Sequence, residues 1–216
     1  LLVGLSFRSA PVTMLEQATV ADADLPKMQL SLVDNDVISE SLVLSTCNRM
    51  EVYTVTNSFH AGVQEVVRVL TQVSGVSEQE LRNYLYVRYA DAAAEHLMSV
   101  TSGLDSMVVG EQQIIGQVRT AYVDAAERGT VGPNLHSLAQ AALHTGKRVH
   151  SETGIDSVSR SLVERALELS GNMLGDLTRV RAVVVPQRCR AGSRARKAPV
   201  SRTKAPRKAP VSRTKA

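Results

Sequence analysis

The chain has 216 residues, 44% of them apolar, and a formal net charge of +4. That is enough chain and apolar material for one large domain or two small ones with a real core. No apolar run approaches the ~20 residues of a membrane-spanning helix, no charged leader precedes a long apolar segment, and two cysteines, Cys47 and Cys189, build no disulfide framework. A cytoplasmic location is therefore expected. The charge is unevenly divided: from Arg179 onward stand 13 Lys plus Arg and no acid, leaving 12 basic against 21 acidic residues before it, a net −9. The basic balance thus says nothing about RNA affinity in the body of the chain.

Leu1 to Phe7 reads as a strand running into a turn at Arg8-Ser9-Ala10-Pro11. From about Thr13 to Val33, Met14, Leu15 and Ala18, then Leu25, Met28 and Leu32, predict two short helices broken at Pro26. Leu42 to Val55 holds two apolar, β-branched runs around Ser45-Thr46-Cys47-Asn48-Arg49, the pattern of two strands meeting at a tight connection. Val63, Val66, Val67, Leu70 and Val73 predict a helix over 61–73; Tyr84 to Tyr89 reads as a last strand and Asp91 to Val100 as a helix. This order predicts an α+β fold, a small antiparallel sheet with helices on one face.

From Glu111 the pattern is wholly helical. Ile114, Val118, Ala121, Tyr122 and Ala125 form one stripe, ended by Gly129 and Gly132-Pro133. Leu135, Leu138, Ala139, Ala142, Gly146 and Val149 form a second, whose small residues permit close helix approach, and Val158, Leu162, Ala166, Leu169 and Met173 a third. Val180 to Val185 looks like the opening strand of a nucleotide-binding domain, which should run into a Gly-x-Gly-x-x-Gly turn; no Gly-x-Gly occurs anywhere in the sequence. Lys197 to Ala205 recurs verbatim at Lys208 to Ala216, a low-complexity basic tail expected to be disordered.

Cys47, at a strand end, has two readings. A rigid hairpin fixes a direction of attack for an accessible thiolate; equally, a lone Cys is often a small core residue. Arg49, two residues on, would share a side with Cys47 in an extended backbone, where it could lower the thiol's pKa or grip a carboxylate with its fork of donors. Gln113 and Gln117 share a helix face and could converge on one polar ligand. Glu111 and Gln112 could equally complement a helix N-terminus. His136, His144 and His150 lack the spacing of a metal pair, so no zinc site is expected.

Ser45-Thr46-Cys47-Asn48-Arg49 followed by Glu51-Val52-Tyr53, and the block from Gly103 to Val118 (GLDSMVVGEQQIIGQV), resemble the two signatures of the glutamyl-tRNA reductase family, over about residues 1 to 178. The resemblance implies that Cys47 attacks glutamyl-tRNA to form a thioester, which NADPH reduces to glutamate-1-semialdehyde in tetrapyrrole (porphyrin) synthesis. It assigns His96 a part in activity, and substrate contacts to Thr46, Asn48, Arg49, Ser106, Glu111, Gln112, Gln113 and Gln117. It implies a catalytic domain over 1–156, the start of a connecting helix over 157–178, and a homodimer whose dimerisation domain is not recognisable here. Phe7 stands where the family usually has His.

Residues 179–216 do not match that family, and no cofactor-binding residue can be named. The abrupt change where glycines are due suggests out-of-frame translation of an NADPH domain, which sequencing the coding DNA tests. The competing expectation is a non-catalytic RNA-binding fragment or degenerate product, with the basic tail neutralising phosphates.

Overall fold

The structure is a computed structural model that describes residues 1–158 and 162–175. β1 (Leu2–Ser6) lies in the interior of a four-stranded antiparallel sheet of order β2-β3-β1-β4, with β2 spanning Ile38–Ser45, β3 Arg49–Thr56 and β4 Tyr86–Arg88. All five residues of β1 are buried, which a strand achieves only when both faces of its sheet are covered. The register pairs Val3 with Val52 and Leu5 with Met50 on one face, and Leu2 with Tyr53, Gly4 with Glu51 and Ser6 with Arg49 on the other.

The first face is covered by α1 (Val12–Ala18), α2 (Leu25–Val33), α3 (Phe59–Ser74) and the short α4 (Glu78–Arg82). Met14, Leu15, Met28, Leu32, Val66 and Leu70 close there over Val3, Leu5, Met50 and Val52. Each such fully buried aliphatic side chain contributes roughly 1.5–3 kcal/mol. Pro26 sits in the first turn of α2, where its missing N–H costs nothing.

The expectation of helices on one face describes only this half. The helical segment that follows returns over the opposite face: α5 (Asp91–Thr101), α6 (Gln113–Glu127) and α7 (Pro133–Glu152) bring Leu97, Val100, Ile114, Val118, Leu135 and Leu143 against Leu2, Leu42, Leu44 and Tyr53. The close approach expected of the second stripe is real. A Cβ on Gly146 of α7 would lie 2.8 Å from the Thr101 carbonyl oxygen of α5.

Glu40 fixes the start of α7. Its buried carboxylate accepts from the backbone N–H groups of Gly132 (3.1 Å), Asn134 (3.2 Å) and Leu135 (2.7 Å). Burial pushes this carboxyl up, but the donors of the helix end outweigh it and hold it below its usual range. The described residues of the third stripe lie in α8 (Ile155–Val158) and α9 (Leu162–Leu174), on either side of positions 159–161, which are outside the described residues, and Leu169 and Met173 are exposed. The tail over 179–216 lies outside the described residues.

Candidate active site: a hairpin thiol and a buried carboxylate

The β2–β3 connection is a two-residue turn. Thr46 N–H donates to the Arg49 carbonyl at 2.9 Å, leaving Cys47 and Asn48 at the tip. The Thr46 hydroxyl accepts from Asn48 N–H and Arg49 N–H, each at 3.2 Å, and Phe7 N–H donates to the Asn48 carbonyl at 2.9 Å. These bonds fix the backbone on both sides of Cys47, whose side chain is exposed. Of the two sequence readings of the thiol, this placement excludes the core one. Phe7, partly buried against the first core, reaches the turn by its backbone and stacks beneath the Arg8 guanidinium, 5.0 Å from its ring centroid.

Arg49 does not share a side with Cys47 along an extended chain, because the chain reverses between them. It begins β3, is 2% exposed and points inward on the second face of the sheet. Nη1 lies 2.7 Å from Glu51 Oε1 and 3.3 Å from Asp105 Oδ2, and Nη2 donates to the Asp105 carbonyl. Its fork is thus occupied by protein acceptors. Burial would favour loss of its proton, but Glu51, Tyr86 and Asp105 reverse that and raise its pKa.

Glu51 is the centre of this cluster. It is wholly buried, and Oε1 accepts from Arg49, from the Tyr86 hydroxyl (2.5 Å) and from His96 Nε2 (2.8 Å), while Oε2 accepts from the Tyr53 hydroxyl (2.7 Å). Burial alone would raise the carboxyl pKa; the His96 hydrogen bond, the Arg49 charge and the Tyr86 hydroxyl overcome it and hold the value at about 2. An ionised carboxylate only accepts, so His96 Nε2 carries a proton and Nδ1 is the nitrogen left for other chemistry. The same desolvation and the nearby negative charge raise the pKa of Tyr53 and of Tyr86.

Gly4 makes this meeting possible. It pairs with Glu51 on one side and Tyr86 on the other, and a Cβ there would come within 2.8 Å of the Met50 carbonyl oxygen and 2.9 Å of Glu51 Cγ. Without that Cβ, Tyr86 reaches across β1 to the carboxylate. A cavity of about 280 Å³, lined by Arg88, Glu95, His96, Ser99 and Asp105, opens beside the His96 ring.

The second motif lies partly against this cluster. Arg8 Nε binds Asp105 Oδ1 at 2.5 Å, so the loop after α5 is tied both to the end of β1 and to Arg49. Ser106, next in the loop, is buried, and Gly103, at φ +73°, closes it through its carbonyl and Gly110 N–H at 2.9 Å. Glu111 is half-buried, and Gln112, Gln113 and Gln117 are exposed. Gln113 and Gln117 do share a face of α6 and line one cavity with Ser45. Gln112 takes another direction, donating to Asp156, which also lies 2.5 Å from His150 Nδ1.

Hairpin turn, His96 and Asp105 loop are therefore one assembly joined through Arg49 and Glu51. Glu51, Tyr53, Tyr86 and Asp105 were not singled out from the sequence as site residues. The available signal was Arg49, Glu51 and Tyr53 at alternate positions, which puts three polar groups on one face beside an apolar strand that contains a glycine.

Fold and site together define an α+β domain that presents a thiol on a braced hairpin. The family described as glutamyl-tRNAGlu reductase, N-terminal domain, matches residues 3–153, and the chain belongs to that family. It is 73% identical over 168 residues to glutamyl-tRNA reductase of Corynebacterium jeikeium, covering 78% of this chain and 34% of that protein. It is 59% identical over 187 residues to that of Corynebacterium aurimucosum, covering 86% and 41%. Among solved structures, glutamyl-tRNA reductase from Methanopyrus kandleri matches with a TM-score of 0.57 and 31% identity, over 81% of this chain and 40% of that one. The chain thus spans about two-fifths or less of the length of these relatives. No helix among the described residues is long and apolar enough to cross a membrane.

Proposed function

We propose that this domain takes the glutamyl group from glutamyl-tRNA onto Cys47. The thiolate attacks the ester carbonyl carbon, an S–C bond forms, the C–O bond to the ribose breaks, and the released ribose oxygen takes up a proton. The product is a glutamyl thioester and a deacylated tRNA. What carries the reading is the exposed sulfur on a turn braced by Thr46 and Phe7, at the start of the strand whose Arg49 and Glu51 reach His96 in a buried ionised network. Preorganised groups of this kind spend no reorganisation at the moment of reaction.

Arg49 binds the substrate carboxylate only where Asp105 yields its place, and the 3.3 Å contact to Oδ2 is the longest of its ionic contacts. Thr46 and Asn48 shape the turn, Gln113 and Gln117 face the cavity beside Ser45, and roles for Ser106, Glu111 and Gln112 in substrate binding rest on the family resemblance alone.

Reduction of the thioester by NADPH completes the activity named for the relatives. The described residues do not fit a dinucleotide: the sheet is antiparallel throughout and has no glycine-rich turn from strand to helix. No hydride step is therefore assigned to any residue here. We assign 1–156 to the tRNA-reactive domain and 157–178 to a connection toward the remainder of a longer, homodimeric, cytoplasmic enzyme.

The test is to mix the chain with radiolabelled glutamyl-tRNA, quench in acid and locate the label by peptide mapping. The label belongs on the Cys47 peptide and is lost in Cys47→Ser. Label that survives in Cys47→Ser, or none in the parent chain, ends the proposal.

A further inference from the structure

Antiparallel strands turn successive residues alternately toward and away from a neighbour. Thr54 exchanges both backbone hydrogen bonds with Leu1, each at 2.8 Å, so Ser41, its partner across the β2–β3 ladder, faces the outer edge of β2. Ser41 N–H indeed donates outward, to the Thr130 carbonyl at 2.7 Å. Val43 and Ser45 have the same parity and turn their N–H and C=O groups to that edge. There a cavity of about 670 Å³ opens between the strand, α2 and α6. Its size is that of a small-molecule site.

The chemistry of the lining narrows the occupant. Gln29, Gln113, Gln117 and Thr120 supply neutral donors and acceptors. Arg128 is committed, donating to Gln29 Oε1 at 3.2 Å and to the Asp124 carbonyl at 2.7 Å, while Asp22 and Asp124 also line the space. A phosphate or the glutamyl carboxylate would meet two aspartates and no uncommitted cation among the described residues. A nucleobase fits: adenine presents a ring-nitrogen acceptor beside an amino donor, the complement of one residue's backbone N–H and C=O on an open strand edge.

Position agrees with chemistry. Ser45 precedes Cys47 by two residues, roughly 7 Å of strand, and an aminoacyl-tRNA carries its ester one sugar ring away from the base of its terminal adenosine. We infer that the cavity seats that terminal adenine, paired to the backbone edge of Val43 and Ser45 and flanked by the amides of Gln113 and Gln117. This rests on the proposal that glutamyl-tRNA is the substrate, and adds which part of it α6 and β2 recognise.

Gly116 provides the test, because it lines the cavity and a Cβ there meets nothing within 4 Å. In the full 216-residue chain, adenosine should shift the amide resonances of Val43, Ser45 and Gly116 where uridine does not, and Gly116→Leu should weaken adenosine binding at least about tenfold. Gly116→Ala, which fills less of the space, should weaken it less, and thermal melting shows that both variants remain folded. A second measurement compares acylation of Cys47 by glutamyl-tRNA with acylation by a glutamyl thioester that has no nucleoside. Gly116→Leu should cut the preference for the tRNA donor by about tenfold. Adenosine shifts elsewhere or nowhere, or an equal loss with both donors, overturn the assignment. Adenosine shifts at these amides with no acylation of Cys47 by either donor overturn the proposed function and leave the adenine site standing.

Discussion

β3 builds two unlike interiors from one strand. Met50 and Val52 point into a wholly apolar core, while Arg49, Glu51 and Tyr53, their alternate neighbours, point into a buried network of charges and hydroxyls. On the apolar side each contact is interchangeable with another of the same kind, so volume is the main requirement. On the polar side several donors converge on one carboxylate, Glu51, and losing it strands the others without water. The same burial thus yields a tolerant half and an intolerant half.

The comparison breaks most easily at Glu51. Glu51→Ala should cost about 3–5 kcal/mol, because it takes the buried carboxylate from Arg49, His96 and two tyrosine hydroxyls at once, whereas Met50→Leu should cost less than about 1.5 kcal/mol. Urea titrations of the two variants measure both, and equal costs would mean that the faces do not differ in kind.

Acid should separate them next. The Glu51 carboxyl titrates at about 2 in the fold against 4.5 for the ordinary group. Because the folded value is the lower one, its contribution is complete above about pH 4.5 and is lost as pH falls toward 2. The loss amounts to about 3 kcal/mol. Urea midpoints followed down this range should fall steeply in the parent chain and more shallowly in Glu51→Gln; parallel curves would remove Glu51 from the account.

Glycines sharpen the contrast at a smaller scale. Gly4→Ala must push against the Met50 carbonyl and Glu51, at a cost of about 1–3 kcal/mol. Gly116→Ala, in a helix with open space around it, should stabilise by roughly 0.5–1 kcal/mol. Thermal melts of the pair give opposite signs, or the crowding at Gly4 is not what fixes the network. Of similar size is Glu40→Gln: the amide keeps part of the cap on α7 and loses its charge, for about 1 kcal/mol by denaturant titration.

Periodicity made most of the architecture legible. The hairpin of Leu42 to Val55, the helices over 61–73 and 91–100, and the two stripes beyond Glu111 all stand where apolar spacing puts them. It failed where packing decides. α4 is five residues long, too short to show a period, and is marked only by Ser77, whose hydroxyl accepts from Glu80 N–H at 3.3 Å. The second covered face was foreshadowed by the unbroken Leu1-Leu2-Val3-Gly4-Leu5, which alternation would have interrupted. At the site, the turn residues were legible because turns are local. The inward Arg49 and its carboxylates were not, since polar residues at alternate positions usually mark a solvated face, and only the tertiary partners Tyr86, His96 and Asp105 reverse that meaning.

Asp105 binds Arg8 through one oxygen, approaches Arg49 through the other and accepts from it through its carbonyl. Two segments distant in sequence, the thiol's hairpin and the strip around Ser106, are thereby one stiff body before any partner arrives. Conformational freedom that an unanchored loop would surrender at each encounter is surrendered once, when the chain folds. Such a surface meets its partner largely preformed, with the 3.3 Å contact between Arg49 and Asp105 the one place where it gives way.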